Sequence, residues 1–135
     1  MIELSKEKPY EDACKILGLR PVANYKSYKL TDETRNFIKL ETVAKALNEG
    51  WKPTTIDPKE VRYYVWGWNY TDNRKPSGFL HVRSGNGLGD ATANVGTSLE
   101  FKDRDTAKEF ARMCKPMIVK YLFGRDDHEN FKFDF

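Results

Sequence analysis

One ten-residue segment concentrates aromatic and basic side chains that could bind flat, charged ligands. Residues 61–70, VRYYVWGWNY, are β-branched and aromatic and lack proline, which is typical of a strand. Strand side chains alternate between faces, so one face of this strand carries a mixed basic and aromatic set: Arg62, Tyr64, Trp66, Trp68 and Tyr70. On the next predicted strand Phe79, His81 and Arg83 share a face and extend this set.

This aromatic face has two interpretations. Large aromatic side chains dominate protein cores, so the face could be the core beneath the helices. It could instead be an open platform for unpaired bases, because single-strand binders combine a basic groove with aromatic stacking worth roughly 1–3 kcal/mol per base. The second interpretation predicts a nucleic-acid-binding set that includes the turn between the strands: Arg62, Tyr64, Trp66, Trp68, Arg74, Lys75, His81 and Arg83.

The segment 125–135, RDDHENFKFDF, is a second candidate for a contact surface. Its alternation of phenylalanine with charged residues predicts a terminal edge strand, which lays the rings on the domain or on a neighbouring copy. The alternative is a recruitment tail, because an acidic segment ending in phenylalanine resembles the tails of bacterial and phage single-stranded-DNA-binding proteins. In both cases we expect a phage or host protein, or another copy of the chain, to contact Phe131, Phe133 and Phe135.

The remaining reactive residues form no pattern that predicts catalysis or metal binding. Cys14 and Cys114 are far apart and fall on predicted buried helix faces, where free cysteine behaves as a small hydrophobe. Two histidines, His81 and His128, are too few for a metal site. No Ser–His–Asp cluster is visible along the sequence. We therefore expect a protein that is not an enzyme and that needs no cofactor.

Residues 85–90, GNGLGD, are superficially similar to a phosphate-binding loop. They lack the Lys-Ser/Thr ending of a P-loop, and they are predicted to join two strands instead of a strand and a helix. A flexible hairpin connection explains them better, and a small-ligand function would depend on this loop alone.

Composition is typical of one globular domain. The chain has 135 residues, of which 39% are hydrophobic and 32% charged, with a net charge of +3. Residues 1–124 are weakly basic and 125–135 are acidic, which permits a polyanionic partner without requiring one. No apolar run approaches the ~20 residues of a membrane helix, and the N-terminal residues have no signal-peptide pattern. We expect a cytoplasmic protein with no membrane partner.

Three helices are expected to support the candidate surfaces. An initial proline and a following glycine predict a short helix over Pro9–Leu17. Thr31 is a good N-cap for a second helix. A continuous apolar stripe predicts a long third helix between Asp103 and Gly124, with a kink at Pro116.

Strands are expected at residues 61–70, 79–84 and 98–101, with a further one near 91–95 and a turn at 71–78. Together these signals predict an α+β fold with two N-terminal helices, an antiparallel meander of three or four strands, and a long amphipathic C-terminal helix packed on one sheet face. We expect residues 1–124 to form this single domain and 125–135 to be its tail or edge strand.

Several segments, in their order, resemble a known group of proteins. They are YEDAC at 10–14, ALNEGWKP at 46–53, RYYVW at 62–66, SGF at 77–79 and LEFK at 99–102. In this order they resemble small uncharacterised proteins encoded by phages and prophages of Bacteroides-type gut bacteria. The resemblance covers most of residues 9–122, although those relatives often have a proline at the position of Val65 and often lack a loop like 85–89. It implies a phage-type protein in the cytoplasm of an infected bacterium, and it transfers no functional residue.

Two functions stay open on the sequence alone. The first is single-stranded nucleic-acid binding in phage replication or recombination. The second is a protein–protein interaction module, either a virion component or an inhibitor of a host defence system, which could act as a homo-oligomer. We favour the first, because only it uses the aromatic strand and the basic segment together.

Overall fold

The computed structural model describes residues 2–53, 59–70, 77–86 and 97–135. The described part confirms the α+β class, with two N-terminal helices and a long C-terminal helix packed against a three-stranded sheet. The elements follow in the order α1 (Pro9–Leu17), α2 (Asp32–Leu47), β1 (Val61–Tyr70), β2 (Ser77–Asn86), α3 (Arg104–Phe123) and β3 (Phe131–Phe133). Short 3-10 turns lie at Val22–Asn24, Thr97–Leu99 and His128–Asn130.

Local capping chemistry sets the helix ends. The Thr31 hydroxyl accepts a hydrogen bond from the backbone N–H of Thr34, and the Asp103 carboxylate accepts one from that of Thr106. The expected kink in α3 is confirmed at Cys114, whose φ of −114° and ψ of 19° are not helical. Pro116 explains the kink, because it donates no backbone hydrogen bond and its ring crowds the preceding turn.

The sheet is mixed, so the expected antiparallel meander is wrong for its third strand. β1 pairs antiparallel with β2 from Val61↔Asn86 to Tyr70↔Ser77. β3 instead pairs parallel with β2, with Phe131 opposite Gly78 and Phe133 opposite Leu80. The reason is that α3 lies between β2 and β3 in the chain, and a helical crossover returns the chain to the end of the sheet where β2 began.

The strand expected at 98–101 is also wrong. It is replaced by the 3-10 turn Thr97–Leu99 and by one isolated bridge, in which Tyr63 and Phe101 exchange backbone hydrogen bonds of 2.9 and 2.7 Å. The expected strand near 91–95 lies outside the described residues, as do most of the turn at 71–78 and most of the glycine-rich segment 85–90.

Helix α3 covers one face of the sheet. The covered face carries buried apolar side chains from all three strands: Val65, Leu80, Val82 and Phe131. At Gly67 the fit is so close that an added Cβ would lie 2.9 Å from the Phe123 ring of α3. Trp66 and Trp68 alternate with these positions, so they point away from α3.

Within the described ranges, no helix has the length and apolar character needed to cross a bilayer.

Candidate nucleic-acid interface

The sheet face opposite α3 collects aromatic and basic side chains from all three strands. Arg62 and Tyr64 lie on the same face but are fully buried, so we give the name open face to the part formed by Trp66, Trp68, Phe79, His81, Arg83 and Lys132. The strand register arranges them in rows. Trp68 lies opposite Phe79, which in turn lies opposite Lys132, and Trp66 lies opposite His81 in the next row. Cross-strand partners of this kind are close enough for their side chains to touch.

Trp68 is the most accessible ring of the open face. Its side chain is 57% exposed, and its indole stacks on the His81 imidazole with a centroid distance of 6.4 Å and an interplanar angle of 25°. Phe79 is 37% exposed, whereas Trp66 and His81 are half-buried. The face therefore presents a flat aromatic surface, which is the shape that a stacked base requires.

The open face, as far as its described residues go, carries few charges. Arg83 and Lys132 are exposed cations. Burial lowers the pKa of His81, and the nearby Arg83 lowers it further, while Asp134 acts in the opposite direction. His81 is therefore neutral at pH 7, and Arg83 and Lys132 supply the positive charge of this face.

Two residues expected on the interface are buried, and their assignment is corrected. The Arg62 side chain has no exposed surface, and its Nη1 lies 3.5 Å from Oε2 of the equally buried Glu100. A second carboxylate, that of Glu60, lies 3.8 Å from Nε of Arg62. Tyr64 is also fully buried. Neither Arg62 nor Tyr64 is therefore accessible to a phosphate or a base. The expected contributions of Arg74 and Lys75 lie outside the described residues.

The phenylalanines of the 125–135 segment pack on their own domain to different extents. Phe131 is fully buried and stacks on Phe123 with a centroid distance of 5.2 Å. The guanidinium carbon of Arg125 lies 4.7 Å from the centroid of the Phe131 ring. It is therefore not accessible to a partner, which corrects its assignment as a partner-binding residue. Phe133 is half-buried, with Nζ of Lys115 5.3 Å from its ring centroid.

Phe135 is the member of this group that stays accessible. It is 39% exposed, and two cations of α3, Lys108 and Arg112, lie 5.7 and 5.2 Å from its ring centroid. Such cation–π contacts hold the ring against the helix but leave part of it open to solvent.

Lys132 was missing from the residues predicted on the sequence. The signal was present, because period-two alternation places Lys132 on the opposite face from Phe131 and Phe133. Because Phe131 and Phe133 lie on the sheet face that packs against α3, Lys132 must lie on the open face. The parallel pairing with β2 then brings it beside Phe79.

The two thiols are buried away from the open face. Burial raises the pKa of both Cys14 and Cys114, so neither is a ready nucleophile. Within the described ranges, no group of three His, Cys, Asp or Glu side chains is placed to hold a metal ion.

Comparison with known proteins gives no family for this chain, because no protein-family model, no curated protein and no solved structure matches it.

Proposed function

We propose that this chain binds single-stranded nucleic acid on its open face, as a non-enzymatic accessory protein of phage type. The observation that carries the proposal is Trp68, which is 57% exposed on the sheet face that points away from α3. The role in phage replication or recombination, inside an infected bacterium, rests on the sequence resemblance alone.

The row arrangement suits two successive bases. Trp66 and Trp68 are two residues apart on one strand, which separates them by roughly 7 Å. One base would stack on Trp68 beside Phe79, and its neighbour would contact the exposed part of Trp66 beside His81. Lys132 and Arg83 flank these rows, where they can pair with phosphates.

The test is a fluorescence titration with octathymidylate. Because base stacking is worth roughly 1–3 kcal/mol, we expect Trp68→Ala to weaken binding by about 5- to 150-fold. Its melting temperature should stay near that of the parent, since the side chain lies on the surface.

Tyr28→Ala is the matched control, because Tyr28 is 45% exposed in the segment between α1 and α2 and does not belong to the open face. Equal binding by the parent and Trp68→Ala would refute the proposal. So would an equal loss in Tyr28→Ala, which would mark non-specific association.

A protein partner is the second candidate for the open face. It is favoured by the exposed Trp68 and Phe79, because aromatic anchors flanked by arginine are typical of protein interfaces. A virion protein, a host defence factor or a second copy of this chain would then cover these rings. A complex that is insensitive to salt and lost in Trp68→Ala would support this candidate over nucleic acid.

A further inference from the structure

A groove of about 430 Å³ lies at the C-terminal end of α2. Its walls come from α1, from the last turns of α2 and from the segment that follows, and they include Leu17, Lys45, Asn48, Trp51, Lys52 and Pro53. None of these residues belongs to the open face. The volume lies within the roughly 300–1,000 Å³ of small-molecule sites in proteins.

An unusual backbone turn brings Trp51 to this groove. Glu49 has a φ of 49° and Gly50 a φ of 89°, so two consecutive residues are left-handed. Within the described ranges, Glu49 is the single non-glycine residue with a positive φ. Such strained residues cluster at ligand-binding sites, where the surrounding structure holds them in place. The turn is closed by the backbone N–H of Trp51, which donates to the Asn48 carbonyl at 2.9 Å.

The described walls of the groove are mostly apolar. Leu17, Trp51 and Pro53 supply apolar surface, and the half-buried indole offers a flat ring. The Asn48 side chain donates from Nδ2 to the backbone carbonyl of Glu100 at 3.0 Å. Its Oδ1 is buried and has no donor among the described residues.

The charges at the groove favour an anion. Lys45 and Lys52 are exposed, and neither forms an ion pair with a described residue. Glu41, one turn before Lys45, supplies the single carboxylate of the described walls. On the described walls, two cations therefore face one anion around an apolar groove.

We propose that this groove binds a small planar aromatic molecule that carries an anionic group. The ring lies against Trp51, and the anionic group lies between Lys45 and Lys52. This site is separate from the open face and does not depend on nucleic-acid binding.

The test uses three ligands that share one ring and differ in charge: indole-3-acetate, indole-3-acetamide and tryptamine. Affinities are measured by ligand-observed NMR on the full chain. We expect the anion to bind most tightly and the cation most weakly, with about tenfold or more between them, because two cations and one anion lie on the described walls of the site.

Two variants locate the site, and two others serve as controls. The double variant Lys45→Glu, Lys52→Glu should reverse the charge order of the three ligands, whereas Lys6→Glu, Lys26→Glu, at exposed lysines outside the groove, should leave it unchanged. Trp51→Leu keeps an apolar side chain but removes the flat ring, so it should weaken all three ligands at least fivefold. Trp68→Ala should leave all three affinities unaltered.

Several results would overturn the proposal. One is the absence of saturable binding by any of the three ligands in the folded parent protein. Another is an unchanged charge order in the Lys45→Glu, Lys52→Glu variant. A third is self-association of the parent that Trp51→Leu abolishes, since a second copy of the chain would then occupy the groove. Far-UV circular dichroism of each variant shows whether lost binding comes from lost folding.

Discussion

Two arginines on neighbouring strands have opposite environments. Arg83 is exposed on the open face, whereas Arg62 is buried beside the carboxylates of Glu100 and Glu60. Burial raises the pKa of Glu100, and the Arg62 charge offsets that rise only in part. Arg62 is therefore part of the folded core, and its removal should affect stability before it affects binding.

We expect Arg62→Met to lower the free energy of unfolding by about 3–5 kcal/mol at pH 7, because it leaves a buried carboxylate without its partner. The deficit should shrink as the pH falls towards 5. A buried carboxyl with a raised folded-state pKa favours the protonated form, and this form becomes available at lower pH. Urea denaturation at both pH values measures the change.

Arg83→Met is the matched control, and its effect on stability should stay within about 0.5 kcal/mol. An Arg62→Met variant that is as stable as Arg83→Met would show that the Arg62–Glu100 pair contributes nothing.

The stacked pair Trp68–His81 should make binding depend on pH. The pKa of His81 is lowered by burial and by Arg83, so the ring is neutral at pH 7 and gains its proton below the ordinary value of about 6.5. Protonation adds a cation beside Trp68 and Phe79. We expect octathymidylate to bind more tightly as the pH falls below 6.5, by roughly fivefold once the ring is protonated, since such a charge is worth about 1 kcal/mol.

Protein stability should change in the opposite direction over the same pH range. The unfolded chain takes up the His81 proton more readily than the folded chain, so folding is less favourable as the pH falls through about 6.5. His81→Gln should bind with little dependence on pH between 7.5 and 5. If His81→Gln keeps the full pH effect, another group is responsible.

At the scale of elements, the sequence predicted what local chemistry determines. The bounds of α1 and β1 agree with the expected residues 9–17 and 61–70, because proline, glycine and side-chain caps act within one turn. β3 could be predicted as a strand but not placed in the sheet. Its alternation of phenylalanine and lysine identifies two faces, while its neighbour β2 and its parallel direction depend on where α3 packs.

The docking of β3 depends on Gly78. An added Cβ at this position would overlap the Phe131 ring and the backbone carbonyl of Trp68. We expect Gly78→Ala to displace β3 and to cost about 1–3 kcal/mol or more, as overpacking does. Hydrogen exchange measured by mass spectrometry should then become fast at residues 131–135.

Ser84→Ala is the matched control for Gly78→Ala, because Ser84 is exposed on the same strand. Slow exchange at 131–135 in Gly78→Ala would mean that the strand tolerates a side chain there and that the close approach is not required.

At the scale of the whole molecule, charge sets only a small part of the proposed affinity. The net charge is +3, and the described residues of the open face include two exposed cations, Arg83 and Lys132. Each phosphate neutralised on a single strand contributes about −0.7 to the slope of log K against log salt, so we expect a slope near −1.4. A titration of octathymidylate at several salt concentrations measures it.

A slope near −2.8 would instead bring two further cations into the interface, and Arg74 and Lys75 are the first to test by alanine substitution. A slope of zero would favour a protein partner.

The open face itself could not be predicted on the sequence, because both faces of β1 carry apolar side chains. The packing of α3 determines which face of β1 is covered. The burial of Arg62 depends on its ion pair with Glu100, which is distant in sequence.

The parallel pairing of β3 has a consequence for synthesis of the protein. β2 emerges from the ribosome well before β3, since all of α3 lies between them. Until β3 arrives, one edge of β2 has no partner strand, and unpaired edges promote association with other chains. A nascent chain that stalls within α3 should therefore be more prone to aggregate, and chaperones should engage it until Phe131 docks against Gly78 and closes that edge.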